Sequence, residues 1–119
     1  MIFVDTGAWF ASVVTSDPDH RKAVEWTVTN RRTLLTTDYV IDETLTLLRA
    51  RGERLRAIEL GSRLFDGSLA IVHRLTIAQL KAAWDTFREF DDKDWSFTDC
   101  TSKVVMADLR NSFRDRQTF

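Results

Sequence analysis

Apolar and polar positions follow one another in blocks that alternate between strand length and helix length. Ile2-Phe3-Val4 is a short apolar run ending at Asp5, the pattern of a buried strand. Thr6-Gly7 breaks it, and Ala8 to Val14 has the spacing of a short helix. Asp17-Pro18 predicts the start of a second helix, which carries Ala23, Val24 and Val28 on one stripe. Thr33-Leu34-Leu35-Thr36 is the second strand. Asp38 then caps a helix running to about Arg51, with Val40, Leu47 and Leu48 among its apolar positions, and Gly52 ends it. A further helix from about Glu53 to Phe65 presents Leu55, Ile58 and Phe65, and Gly67 punctuates it. Leu69-Ala70-Ile71-Val72 is the third strand. Ile77, Leu80, Trp84 and Phe87 recur at helical spacing and predict an amphipathic helix over Thr76 to Phe90. After the polar Asp91-Asp92-Lys93-Asp94, Ser96 opens a last helix with Cys100, Val104 and Ala107 on one side.

Strands separated by helices imply parallel pairing, because parallel neighbours need a crossover of roughly a dozen residues. The expected fold is therefore α/β, a doubly wound parallel sheet flanked by helices. Its 119 residues suit one domain, 1–119, and a 44% hydrophobic content can fill a core. One Pro and four Gly disfavour a turn-rich sandwich. Cys100 is the single cysteine, which excludes an internal disulfide and fits a reducing compartment. No apolar stretch approaches the ~18 residues of a membrane span, and the start lacks a signal peptide's basic residues. A cytoplasmic protein with no membrane association is expected.

The formal net charge of -1 provides no bulk attraction for nucleic acid. Most of the 17 cations are arginines, however, and Arg49, Arg51, Arg54 and Arg56 fall close together. They read either as a basic ridge for phosphates or, on spacing alone, as a solvated helix end and turn.

Acidic residues carry the candidate chemistry. In open parallel sheets the ligand crevice lies beyond the carboxyl ends of the strands. Asp5 ends the first strand, Glu43 lies early in the helix after the second, and Asp99 occupies the first turn of the last helix. Three acids distant in sequence would meet at one sheet edge, where a cation such as Mg²⁺ or Mn²⁺ offsets their repulsion. Each also has a structural reading. Asp5 can cap the turn before Ala8, Glu43 suits a helix N-terminal turn, and Ser96 to Asp99 has capping-box spacing.

Three blocks carry a family resemblance. Met1-Ile-Phe-Val-Asp-Thr-Gly-Ala-Trp-Phe-Ala11 resembles the opening of PIN-domain ribonucleases. Thr37-Asp-Tyr-Val-Ile-Asp-Glu-Thr44 and Trp95-Ser-Phe-Thr-Asp-Cys-Thr-Ser102 are similar to that family's second and third blocks. Their order and spacing agree over nearly the whole chain, which looks most like a VapC-type toxin of a toxin–antitoxin pair. The resemblance implies a Mg²⁺- or Mn²⁺-dependent endoribonuclease whose metal is held by Asp5, Glu43 and Asp99. Thr6 and Thr98 would orient a bound water or a carboxylate. RNA as substrate, a homodimer and a cognate VapB-like antitoxin are the implied partners.

Two departures qualify the activity. The family pattern has a fourth acid after the last helix and then a further strand. Asp115 is the only candidate for that acid, and the tail is too short for two strands. The last strand is therefore expected to be incomplete. Lys103 stands one helical turn after Asp99, where an apolar residue is expected, and i,i+4 spacing predicts an Asp99–Lys103 pair. The alternative reading is a PIN-like binding or dimerisation module with reduced or lost nuclease activity. An aspartyl phosphatase is disfavoured by Gly7, which stands where a second acid would be needed. His20 and His73 have no partner at ligand spacing. Cys100 reads as a small buried hydrophobe, and Trp84 and Phe87 as core residues.

Overall fold

The apolar run at the start of the chain becomes an inner strand of a four-stranded parallel sheet. In the computed structural model, which describes residues 1–112 and 117–118, β1 (Ile2–Phe3) leads to α1 (Thr6–Val13) and α2 (His20–Thr29). β2 (Leu34–Thr37), α3 (Asp38–Ala50) and α4 (Arg54–Phe65) come next. β3 (Ile71–His73), α5 (Ile77–Glu89), α6 (Phe97–Ser112) and β4 (Gln117–Thr118) complete the order. The strands lie in the order β3-β2-β1-β4. Ile2 is opposite Leu34 on one side and Gln117 on the other. The chain thus travels outward through β2 and β3, then reverses to place β4 beyond β1. That reversal is the doubly wound arrangement, and its switch point falls at the end of β1.

Ile2, Phe3 and Val4 are all buried, as both faces of a parallel inner strand require. Trp9, Leu35, Val40, Ile41, Leu48 and Val105 pack with them. A polar seam runs through this core. The buried Trp9 indole N–H donates to Thr36 Oγ1 at 3.1 Å, and that hydroxyl donates to the Val4 carbonyl at 3.0 Å. One threonine therefore ties α1 to β2 and β2 to β1 with no buried polar group left over among these three.

The strand and helix positions match the apolar pattern with shifts of one to three residues, and each shift has a local cause. Asp17 Oδ1 accepts from the Asp19 N–H at 2.8 Å, and the Asp17 carbonyl accepts from the His20 N–H. These bonds build a turn, so α2 begins at His20 instead of Pro18. Thr37, not Asp38, caps α3, its hydroxyl accepting from the Val40 N–H. Asp38 Oδ1 instead accepts from the Tyr39 and Leu75 N–H groups, fastening the β3–α5 connection to α3. Ala70 is buried below the sheet edge without joining the ladder, so β3 starts at Ile71. Helix α5 has the expected limits, with Thr76 and Gln79 forming a reciprocal capping box.

Which helix faces are buried differs from the pattern. Leu55 and Phe65 are 79% and 74% exposed, and Leu60, Gly61 and Leu64 form the inner face of α4. A Cβ on Gly61 would stand 3.4 Å from Leu45 Cδ2, so the glycine sets how closely α4 approaches α3. Trp84 is 53% exposed and Phe87 is also on the surface, whereas Gln79 and Ala83 face α6. Gly61 lets α4 come close to α3 with Leu60 and Leu64 buried beside it, while Leu55 and Phe65 stay outside. On α2, Ala23 is buried while Val24 and Val28 are exposed. On α6, Cys100, Thr101 and Val105 are buried, whereas Ala107 is exposed.

The tail reaches the sheet as the two-residue β4, parallel to β1. Asp115 lies outside the described residues.

The Trp9–Thr36 bond yields a stability prediction. Thr36→Val leaves the buried indole N–H unpaired and should cost about 2 kcal/mol in urea unfolding. Combined with Trp9→Phe, the loss should fall short of the sum of the single losses, because both changes remove one bond.

Candidate active site

Three helices start at the carboxyl edge of the sheet, and a candidate acid stands at or near each start. Asp5 comes after β1 at the switch point and is the N-cap of α1, where Oδ1 accepts from the Ala8 N–H at 3.0 Å. Glu43 is in the second turn of α3 and half-buried. Asp99 is in the first turn of α6. Its Oδ2 accepts from the Ser96 N–H at 3.0 Å, while Ser96 Oγ accepts from the Asp99 N–H at 3.0 Å. The capping box read from the spacing is therefore present.

Ser96 joins two of the acids. Its hydroxyl also donates to Glu43 Oε2 at 3.3 Å, across 53 residues of chain. Glu43 and Asp99 thus share one serine at the point where α3 meets α6. Asp5 is brought to the same edge by β1 but stands on α1. No three acidic, histidine or cysteine side chains enclose a metal-sized space among the described residues. Asp5 and Asp99 each turn one oxygen onto the start of their own helix.

That arrangement leaves half of each carboxylate for other work. Asp5 bonds through Oδ1, Asp99 through Oδ2 and Glu43 through Oε2, so one oxygen of each takes no hydrogen bond among the described residues. Next to Asp5, Thr6 Oγ1 is buried with no hydrogen-bond partner among the described residues. An all-oxygen donor set with an orphaned buried hydroxyl beside it suits a hard divalent cation.

The other candidates are accounted for by structure. His20 Nδ1 lies 2.7 Å from the Ala11 carbonyl and His73 Nε2 lies 2.8 Å from Gln79 Oε1. Burial pushes the Cys100 thiol up, Asp99 adds to the rise, and Lys103 partly offsets it, so the buried sulfur stays protonated. The arginines are at the other end of α3. Arg49 lies about 9 Å further along the helix axis than Glu43. Arg51 stacks over Phe10, and Arg56 bonds the Val13 carbonyl and Glu53. They fasten the α3–α4 turn to the end of α1, which favours the structural reading of this cluster. Lys103 does not pair with Asp99; its ammonium lies over the Trp95 ring. The sequence showed Ser96 as a cap but not as the link to Glu43, since nothing local marks a contact 53 residues away.

An acid-edged parallel sheet of this topology defines the class. The PIN-domain sequence profile matches residues 2–110, and the chain belongs to the PIN-domain family. Its relatives place it among the VapC-type toxins. It is 33% identical to the 23S rRNA-specific endonuclease VapC20 of Mycobacterium tuberculosis over 107 residues, 89% of this chain and 80% of that protein. The same figures hold for both strains compared, CDC 1551 / Oshkosh and ATCC 25618 / H37Rv. The crystal structure of M. tuberculosis VapC20, described as a sarcin-ricin loop cleaving toxin, superposes with a TM-score of 0.84 at 26% identity. That match covers 98% of this chain and 87% of the other.

The capping bonds predict how the site tolerates change. Asp5→Ala and Ser96→Ala should each lower stability by about 1 kcal/mol in chemical unfolding, whereas Asp5→Asn should be nearly neutral, because asparagine still caps.

Proposed function

We propose that this protein is a metal-dependent endoribonuclease, the toxin of a type II toxin–antitoxin pair, which cleaves RNA phosphodiesters with Mg²⁺ or Mn²⁺ held by Asp5, Glu43 and Asp99. The observation that carries the reading is the Ser96 bridge, which holds Glu43 and Asp99 together at the carboxyl edge of a PIN-domain sheet. The specificity of the M. tuberculosis relative for 23S rRNA supports RNA as the substrate class. A structured RNA is the expected target.

The division of labour comes from the bonds. Ser96 fixes one oxygen each of Glu43 and Asp99, and the α1 start fixes one oxygen of Asp5, so the remaining three oxygens are oriented and available. Thr6 Oγ1 supplies a further donor or acceptor beside Asp5. A divalent metal held by Asp5, Glu43 and Asp99 would supply the positive charge that acidifies water and offsets the charge on the departing oxygen. No histidine or nucleophilic side chain is needed, and both histidines are engaged elsewhere.

Partners belong to the same reading. The protein acts in the cytoplasm with a VapB-like antitoxin and as a homodimer. The exposed Ile77, Trp84, Phe87 and Phe90 on one helix and its cap support self-association, since apolar patches of this kind mark contact surfaces.

Purified protein should cut structured RNA with added Mn²⁺ or Mg²⁺ and stop when EDTA is added. Asp5→Asn and Asp99→Asn should abolish cleavage with thermal unfolding little changed, since size and capping are kept. Intact RNA at excess Mn²⁺, with the fold confirmed by circular dichroism, would instead support the binding-module alternative. Separately, Trp84→Asp should shift light scattering from dimer to monomer; a wild-type monomer at high micromolar concentration would refute the homodimer.

A further inference from the structure

Lys103 stands one helical turn after Asp99, a spacing that brings two side chains to one face and usually pairs opposite charges. The structure has a different arrangement. Asp99 is committed to the Ser96 backbone, and Lys103 Nζ stands 4.2 Å from the centre of the Trp95 ring. No carboxylate is within ion-pairing distance of Lys103 among the described residues, and the side chain is exposed. Trp95 directly precedes Ser96, and its ring is steadied by Phe90 at 5.7 Å between centroids. A cation is therefore held beside the acids by a neutral surface.

This choice of partner has a chemical consequence. A ring face attracts an ammonium through its quadrupole but carries no net charge to cancel it. The ammonium keeps its full charge and has N–H donors to spare for an anion. RNA approaching Asp5, Glu43 and Asp99 meets repulsion from three carboxylates, which a cation beside them offsets.

We propose that Lys103, held by Trp95, is a positioning residue that binds a backbone phosphate of the RNA next to the bond presented to the acids. The proposal rests on the RNA-cleaving reading and names the cation that brings its anionic substrate to an acidic edge. Lys103 touches a phosphate flanking the reacting one and takes no part in bond making.

The test uses a single-stranded RNA oligonucleotide binding to the intact protein in EDTA, across a series of salt concentrations. Lys103→Gln should weaken binding about tenfold and reduce the log–log salt slope by about 0.7, the value for one lost phosphate contact on a single strand. Lys103→Arg should restore most of both. In cleavage assays with Mn²⁺, Lys103→Gln should raise KM with kcat little changed. Trp95→Leu, which removes the ring but not the charge, should weaken binding less than Lys103→Gln. An unchanged salt slope and KM in Lys103→Gln, beside a wild type that does cleave, would overturn the role of Lys103 alone. Loss of fold or of dimer in Lys103→Gln, seen by circular dichroism or light scattering, would overturn it in favour of a structural cation–ring contact. A wild type that neither binds nor cuts RNA would overturn this proposal together with the reading beneath it.

Discussion

Every helix that begins at the carboxyl edge of a parallel sheet presents backbone N–H groups that have no helical partner, and the layout of this protein depends on how they are met. Asp5 meets them for α1, Thr37 for α3, and Ser96 with Asp99 for α6. The same positively polarised helix ends also lower the cost of gathering acids at one place. Capping takes one oxygen of Asp5 and one of Asp99, and the second oxygen of each accepts no hydrogen bond among the described residues. Ser96 is the economical element in this scheme, since one residue caps α6 and ties Glu43 to it.

Much of this was legible in the sequence where the signal is local. The apolar run before Asp5 reads as a strand because burial on both faces leaves no alternation. Thr76 and Gln79 announce the start of α5, and Ser96 and Asp99 that of α6, because capping depends on residues three apart. The edge where Asp5, Glu43 and Asp99 stand comes from parallel topology alone. Burial was less legible. Periodicity finds a stripe but not whether that stripe faces in: the inner face of α4 is Leu60, Gly61 and Leu64, and on α5 the buried residues are Gln79 and Ala83. Phe65 on α4 and Trp84 and Phe87 on α5, the aromatic residues of those helices, are left outside.

Contacts between distant segments lay beyond a one-dimensional reading. The Ser96–Glu43 bond joins residues 53 apart, and the Trp9–Thr36 bond joins residues 27 apart. Lys103 shows the same limit at short range. Its spacing to Asp99 is that of an ion pair, yet the cap claims the carboxylate and the adjacent ring claims the ammonium. Two local rules competed for Asp99, and the one satisfying a backbone N–H prevailed.

The register of β1 bears on how the molecule assembles. Ile2 pairs with Leu34 after a single crossover, but its other neighbour is Gln117, almost the whole described chain away. Closing so long a loop costs entropy before any contact rewards it, and folds rich in such pairings assemble slowly. The pairing of β1 with β2 and the packing of α3 against β2 can therefore form while the far side of β1 is still open. β1 is then paired on one side only, and its second neighbour arrives when β4 docks. Order of assembly thereby separates a chain that has collapsed around its core from one whose sheet is complete.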